Sequence, residues 1–244
     1  MDLKFWQTYF RKNRNHFSDI HWAVPDFLTE TERRLITPSI QQFQKGENSE
    51  GRHFYDFSKS FPDPLYLHCV ELFIKEEQTH AKVLGQFMEK HQIPKLCRHW
   101  VDDCFRWLRK LSGLENTVAV LVTAEIIAKV YYQALRNCTS SLLLKKICAQ
   151  ILKDEDQHII FQCSALAHFY PRKNLAGKFF TRTSHLTLMM GAVLIVWMYH
   201  RKVLIKGDFG FVHFFSETLS IFIEAEKIIR NKRIVAGKFF APAV

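Results

Sequence analysis

The sequence is poor in the residues that interrupt helices. Only nine glycines and seven prolines occur among its 244 residues, and they cluster between long segments in which apolar residues recur every three or four positions. The chain is 48% apolar and 24% charged, without a low-complexity tract, as is typical of a globular protein. These features predict one all-α protein with a sizeable core.

A Cys-x-x-Cys pair is also absent. The six cysteines are widely spaced, and most fall in predicted helices: Cys69, Cys97, Cys104, Cys138, Cys148 and Cys163. Buried free thiols in a reducing compartment explain this pattern best. Residues 1–17 lack the continuous apolar core of a signal peptide. We therefore expect a cytoplasmic protein with free cysteines.

Acidic residues are in the minority. Asp and Glu number 24 against 34 Lys and Arg, which gives a formal net charge of +10 that is spread along the chain. This excess fits an acidic partner such as nucleic acid, an anionic membrane surface or an acidic carrier protein. It fits a basic, soluble surface equally well, so charge alone does not choose among these partners.

The apolar periodicity predicts a series of helices separated by turn sequences. In chain order, the predicted helices are a short one within 1–28, long ones at 29–60 and 64–91, a short one at 101–111, long ones at 114–137 and 141–169, and two more at 186–199 and 212–231. We divide the chain into an N-terminal helix and connector (1–28), a four-helix bundle (29–170) and a C-terminal helical extension packed on it (171–244).

Two Glu-x-x-His motifs stand at the centre of this pattern. Glu77 and His80 lie in one predicted helix, and Glu155 and His158 lie in another. Residues three apart share a helix face, and both motifs interrupt stripes that are otherwise apolar. Burial of an unpaired carboxylate costs several kcal/mol unless a partner or a metal compensates it, so the two interruptions require a joint explanation.

Two single glutamates complete the arrangement. Glu47 and Glu125 also occupy positions where the stripes of their helices require apolar residues. Glu47 lies 30 residues before Glu77, and Glu125 lies 30 residues before Glu155, with each midpoint in a predicted turn. Residues equidistant from the turn of an antiparallel hairpin lie at one height, so two hairpins would bring four carboxylates and two imidazoles to one level of a bundle.

This constellation resembles the dimetal site of the ferritin-like superfamily. Gly46-Glu47 followed by Ser49 resembles the first-helix motif of rubrerythrins, and Ala124-Glu125 resembles their third-helix motif. The doubled acids in Glu76-Glu77-x-x-His80 and Asp154-Glu155-x-x-His158 resemble the paired motifs of acyl-carrier desaturases and related oxygenases. Carboxylate and imidazole ligands without thiolate suit iron or manganese rather than structural zinc.

The resemblance implies a ferritin-like antiparallel four-helix bundle built from two helical hairpins. It implies a non-haem di-iron, or Mn/Fe, oxidoreductase that activates dioxygen for hydroxylation, desaturation or N-oxygenation. The implied metal ligands, which are also the catalytic residues, are Glu47, Glu77, His80, Glu125, Glu155 and His158, with Glu77 and Glu155 closest to bridging. Candidates for supporting positions are Glu50, Glu76 and Asp154, the last two of which could orient an imidazole. An external electron donor and a homodimer are further expectations.

Three alternatives stay open at this point. The first is a ferroxidase or peroxide-scavenging protein, and the second is a di-iron tRNA hydroxylase whose partner is nucleic acid. The third is a non-catalytic helical interaction protein in which the acids and histidines form a buried polar network. Leu84 stands where related ribonucleotide reductases carry a radical tyrosine, which argues against that role here.

The apolar run 186–199 is the main feature of the C-terminal extension. It contains fourteen residues and is flanked by His185 and by His200-Arg201-Lys202. A membrane-spanning helix needs about 20 apolar residues. We therefore predict a fifth bundle helix that covers the site, with membrane contact as the alternative.

Overall fold

The structure is a computed structural model that describes residues 1–48, 51–96 and 113–230. The described residues form helices and no strand, which confirms the all-α prediction. The helices are α1 (Leu3–Asn13), α2 (Glu30–Glu47), α3 (Arg52–Ser58), α4 (Pro64–Lys90), α5 (Gly113–Cys138), α6 (Leu142–Phe169), a 3₁₀ turn (Tyr170–Arg172), α7 (Leu175–Lys206) and α8 (Phe211–Arg230). The helix predicted at 101–111 and the candidate residue Glu50 lie outside the described residues.

The continuous helix predicted over 29–60 is wrong in its second half. Thr29 caps α2 by accepting a hydrogen bond from the backbone N–H of Glu32, but the helix ends at Glu47. Gly51 precedes α3 with a φ of +63°, in the left-handed region that favours glycine. A Cβ at this position would also lie 2.6 Å from the side chain of Ile74. The predicted helix is thus divided into α2 and α3, and Gly51 marks the beginning of the second part.

The three helices α4, α5 and α6 lie close to their predicted bounds. Asp63 caps α4 and Pro64 occupies its first turn, where the missing N–H costs nothing. Ser141 caps α6 by accepting a hydrogen bond from the N–H of Leu144 at 2.9 Å. Both caps lie in the turns about which Glu47 and Glu77, and Glu125 and Glu155, are equidistant. The expected heights of these glutamates along the bundle therefore depend on such local capping signals.

The core joins helices from all three predicted segments. One apolar cluster contains Trp6 from α1, Phe73 from α4, Val122 from α5, Phe161 from α6 and Phe214 from α8. Helix α4 packs against α1, α2 and α6, while α5 packs against α6, α7 and α8. The described cysteines, Cys69, Cys138, Cys148 and Cys163, are buried and free, as expected. The division into segments remains a prediction.

Helix α7 is more than twice as long as the apolar run that predicted it. It packs beside α2, α5 and α8. By length and composition, both α5 and α7 are long and apolar enough to cross a membrane. However, the most apolar 18-residue segment is 72% buried in α5 and only 39% buried in α7. Helix α5 is therefore a core helix, whereas α7 has one packed and one exposed side.

Two glycines of this region allow a test of the packing between α5 and α7. A Cβ at Gly207 would lie 2.2 Å from the carbonyl oxygen of Ala134, whereas Gly191 has open space around it. We expect Gly207→Ala to lower the free energy of unfolding by about 1–3 kcal/mol through overpacking. Gly191→Ala should raise it by up to about 1 kcal/mol through helix propensity. Urea unfolding measures both, and equal effects would contradict the contact.

Candidate metal centre

The structure brings all six predicted ligands together in the interior. Their ligand atoms form two groups, each with all atoms within 4.8 Å of one another. The first group contains Glu47, Glu77, His80 and Glu155, and the second contains Glu77, Glu125, Glu155 and His158. Glu77 and Glu155 belong to both groups, so they occupy the positions that bridging carboxylates would take.

Four helices supply these side chains at one level. Glu47 is the last residue of α2, Glu125 lies midway along α5, and the two motifs lie in the middle of α4 and α6. The Nδ1 atom of His158 is 2.9 Å from Oε1 of Glu77, and Nδ1 of His80 is 3.6 Å from the same oxygen. One carboxylate oxygen thus lies between the two imidazoles, whose ring centroids are 5.6 Å apart.

The donor atoms of this cluster are those that a metal would satisfy. Nδ1 of His80, Nδ1 of His158, Oε1 of Glu77 and both carboxylate oxygens of Glu155 are buried without a hydrogen bond of acceptable geometry. Buried polar atoms are normally hydrogen-bonded, and each exception calls for an explanation such as an ion. Oxygen and imidazole donors fit iron or manganese. The residues present could therefore hold a metal ion.

The electrostatics of the metal-free cluster favour protonated groups. Burial, followed by the negative charge of Glu77, raises the pKa of Glu47 well above its ordinary value. Burial and the charge of Glu125 do the same for the pKa of Glu155. Burial alone would lower the pKa of His80, but its hydrogen bond to Asp154 and the charge of Glu77 outweigh this and raise it to about 9. Without metal, protons on these three residues offset the crowded negative charge, whereas burial alone would raise the pKa of Glu125 but its contacts with Glu155 and His158 lower it.

The carboxylates that precede each motif make crossed contacts. Nε2 of His80 hydrogen-bonds to Oδ2 of Asp154 at 3.0 Å, and Nε2 of His158 hydrogen-bonds to Oε2 of Glu76 at 3.2 Å. Each acid thus contacts the histidine of the opposite motif, not the histidine four residues further along its own helix. These contacts leave Nδ1 of both rings facing the ligand groups, as outer carboxylates do for metal-bound histidines.

The N-terminal segment supplies partners that the sequence analysis missed. The side-chain amide of Asn13 donates to Glu76 and to Oδ1 of Asp154, the latter at 2.8 Å. Nδ1 of His16 lies 3.1 Å from Oε1 of Glu76, and its Nε2 lies 3.5 Å from Oδ2 of Asp154. Asn13 is the last residue of the aromatic helix α1 and His16 follows it. Neither belongs to a recognisable motif, so no spacing signal could have identified them.

Two further side chains hold single ligands. The phenol of Tyr132 donates to Oε1 of Glu47 at 2.6 Å, and the amide of Gln162 donates to Oε1 of Glu125 at 2.9 Å. Both residues lie on the predicted inner stripes of α5 and α6, so periodicity placed them inside without indicating their contacts. They fix one oxygen of each carboxylate, and the other oxygen of Glu125, Oε2, lies 3.7 Å from Nδ1 of His158.

Because the contacts are crossed, we expect single substitutions to change the affinities of the two metal-binding steps separately. Asp154→Asn removes the acceptor of His80, and Glu76→Gln removes the acceptor of His158, so each should weaken mainly one of two binding steps by about 10–100-fold. Titration of the metal-free protein with Fe²⁺ or Mn²⁺ measures both steps. Glu71→Gln is the control, because Glu71 faces His68 on the exposed side of α4. Equal weakening of both steps by each variant would contradict the pairing.

Comparison of the chain with protein-family models, with curated proteins and with solved structures gives no match. The interpretation of this site therefore depends on its geometry and on the chemistry of its side chains.

Proposed function

We propose that this protein is a non-haem di-iron, or Mn/Fe, oxidoreductase that activates dioxygen. The observation that carries the proposal is the pair of ligand groups that share Glu77 and Glu155. Each group offers three carboxylates and one imidazole, and Nδ1 of His80 and of His158 lies near a different oxygen of Glu155, at 4.0 and 3.8 Å. A structural ion would need one such group, whereas two groups with common carboxylates suit two metals in close proximity.

The same observation supports a ferritin-like arrangement of α2, α4, α5 and α6. In that arrangement each hairpin contributes one glutamate and one Glu-x-x-His motif, as here. The described contacts between α2 and α4, between α5 and α6 and between α4 and α6 support this arrangement. The additional helices α1, α7 and α8 would surround this core.

Two bound metals would supply the redox chemistry by which dioxygen is reduced. Around them, the protein's own residues would orient the metal ligands and exclude water. Asp154 and Glu76 hold the imidazoles through Nε2, and Tyr132 holds Oε1 of Glu47 by donating a hydrogen bond to it. The ring of Phe73 lies 4.7 Å from that of His158, and the ring of Phe17 lies 5.9 Å from that of His80, which keeps water from the outer side of each histidine. An external electron donor is part of the proposal.

Elemental analysis tests the proposal directly. Protein expressed with added iron and manganese should contain about two metal ions per chain. After anaerobic reduction, exposure to oxygen should produce a transient absorbance band as the metals are oxidised. Protein that cannot be loaded with metal would leave a buried polar network, and the enzymatic proposal would fall.

Ferroxidase or peroxide-scavenging activity is a second candidate, favoured by the aromatic packing around the site. Phe10 and Phe73 both approach His158, so the rings take up space that a large organic substrate would need. A ferroxidase should oxidise many equivalents of added Fe²⁺ per site without another substrate. An oxygenase should stop after about one turnover until a substrate and an electron donor are supplied.

A further inference from the structure

The exposed side of α7 is an apolar surface on an otherwise well-packed protein. Its outer face carries large apolar side chains, with Phe180, Leu194, Met198 and Ile205 exposed to 70%, 49%, 62% and 56%. Between Phe180 and Leu194 the same side carries small exposed residues, so the apolar part is concentrated from Leu194 to Ile205. Opposite them, Met189, Val193 and Val196 are buried against the protein. Large apolar side chains exposed together on one side of a helix mark an interaction site.

Cations border this outer face at one end. Arg201, Lys202 and Lys206 lie near the end of α7, all exposed. At the beginning of the helix, Arg182 lines a pocket on the packed side together with His185 and Glu226. Helix α7 contains no aspartate or glutamate anywhere in its 32 residues. The surface therefore combines exposed apolar side chains with positive charge at its C-terminal end.

This charge pattern favours an anionic occupant. The exposed cations near the end of α7 have no acid on their own helix to compensate them, and a parallel pair of copies would bring these cations together. An anionic lipid surface instead offers acyl chains to the apolar side chains and phosphate or carboxylate groups to the cations. Charge complementarity thus favours lipid, and an antiparallel second copy is the competing outcome of the test.

We propose that the outer face of α7 docks the protein on an anionic lipid bilayer, with the helix lying in the plane of the interface. A spanning orientation does not fit, because the inner side of α7 is packed against α2, α5 and α8. The apolar surface extends to the beginning of α8, where Val212 is 78% exposed and Phe211 contacts Trp197 at a centroid distance of 5.2 Å. The proposal goes beyond the metal centre and does not depend on it.

Co-sedimentation of the metal-loaded full chain with vesicles tests the docking. We expect binding to vesicles of phosphatidylcholine with about a quarter phosphatidylserine, and at least about tenfold weaker binding to phosphatidylcholine alone. The double variant Leu194→Glu with Met198→Glu should weaken binding to the anionic vesicles by at least about tenfold. Its control is Phe27→Glu with Leu142→Glu, since these side chains are 81% and 71% exposed elsewhere.

A second pair of variants tests the cations. Arg201→Gln with Lys202→Gln should weaken binding by about 25-fold, at roughly fivefold per cation. Lys146→Gln with Lys153→Gln removes two exposed cations from α6 and should have little effect. If each control pair reduced binding as much as the pair it is matched with, the binding would be due to a non-specific basic surface, and the proposal would be overturned. Absence of vesicle binding, with a dimer that Leu194→Glu dissociates, would assign the face to a second copy. Metal content should be the same in all these variants.

Discussion

Glu155→Gln should remove both metals, reducing the content from about two ions per chain to fewer than about one. Glu155 belongs to both ligand groups, and both of its carboxylate oxygens are buried without a hydrogen bond. An amide keeps the size of the side chain but removes the negative charge and one acceptor oxygen. Loss of a single terminal ligand such as Glu125 should instead affect mainly one ion. Elemental analysis after loading with excess Fe²⁺ measures the difference.

The thermal stability of the same variant separates a metal ligand from a structural residue. Without metal, Glu155 is held in its protonated form by burial and by the charges of Glu125 and Glu77, which an uncharged glutamine imitates. We therefore expect the metal-free variant to melt at the same temperature as the parent or slightly above it. Metal should raise the melting temperature of the parent but not that of the variant, since stabilisation by a ligand requires binding to the native state.

Glu226→Gln provides the matched control for this experiment. Glu226 is a buried glutamate that contacts a histidine, His185, at 3.2 Å, but it lies outside both ligand groups. Its replacement should leave the metal content at about two ions per chain. A Glu155→Gln protein that still bound two ions, or a Glu226→Gln protein that lost them, would contradict the assignment.

The common height at which the ligand side chains meet could be predicted from the sequence, because two local signals determine it. The turns at Asp63 and Ser141 are marked by capping side chains and by proline, and helical periodicity then determines which residues face inward and at what height. Glu47 joined the cluster even though the continuous helix predicted around it ends there. Its position depends only on the turns of α2 before the break.

Contacts between elements distant in sequence could not be predicted in this way. Asn13 reaches Asp154 across 141 positions, and the pairing of Asp154 with His80 joins two helices that periodicity treats separately. These contacts depend on helix rotation and on the docking of α1, to which neither spacing nor composition is sensitive. The exposure of one side of α7 could not be predicted either, because an apolar run has the same sequence pattern in a protein core as at a lipid surface.

Metal affinity should rise steeply with pH, by about tenfold per pH unit for each proton that a metal displaces. The pKa of His80 is raised to about 9 and that of His158 is raised well above its ordinary value, so both imidazoles carry a proton at neutral pH when metal is absent. Raised pKa values also keep Glu47 and Glu155 protonated. Two to four protons should therefore leave as two metals bind, and calorimetry in buffers of different ionisation enthalpy counts them.

The stability of the metal-free protein should follow the opposite trend. Because the folded-state pKa of His80 is higher than its ordinary value of 6.5, its interactions stabilise the fold fully below pH 6.5 and are lost as the pH rises through about 9. The raised pKa values of Glu47 and Glu155 act in the same direction, since the folded state retains protons that the unfolded state releases above about pH 4.5. The free energy of unfolding should fall by a few kcal/mol between pH 6.5 and 9.

Metal loading should abolish this loss of stability with rising pH, because bound ions replace the protons as the positive charges that neutralise the carboxylates. Urea unfolding of the metal-free and metal-loaded proteins at pH 6.5 and 9 gives the comparison. A metal-free protein whose stability did not change over this interval would mean that the histidines are neutral and the carboxylates are compensated in another way. In the double variant His80→Gln with His158→Gln, the metal-free protein should lose the part of its pH dependence that the imidazoles contribute, and the part that remains is assigned to Glu47 and Glu155.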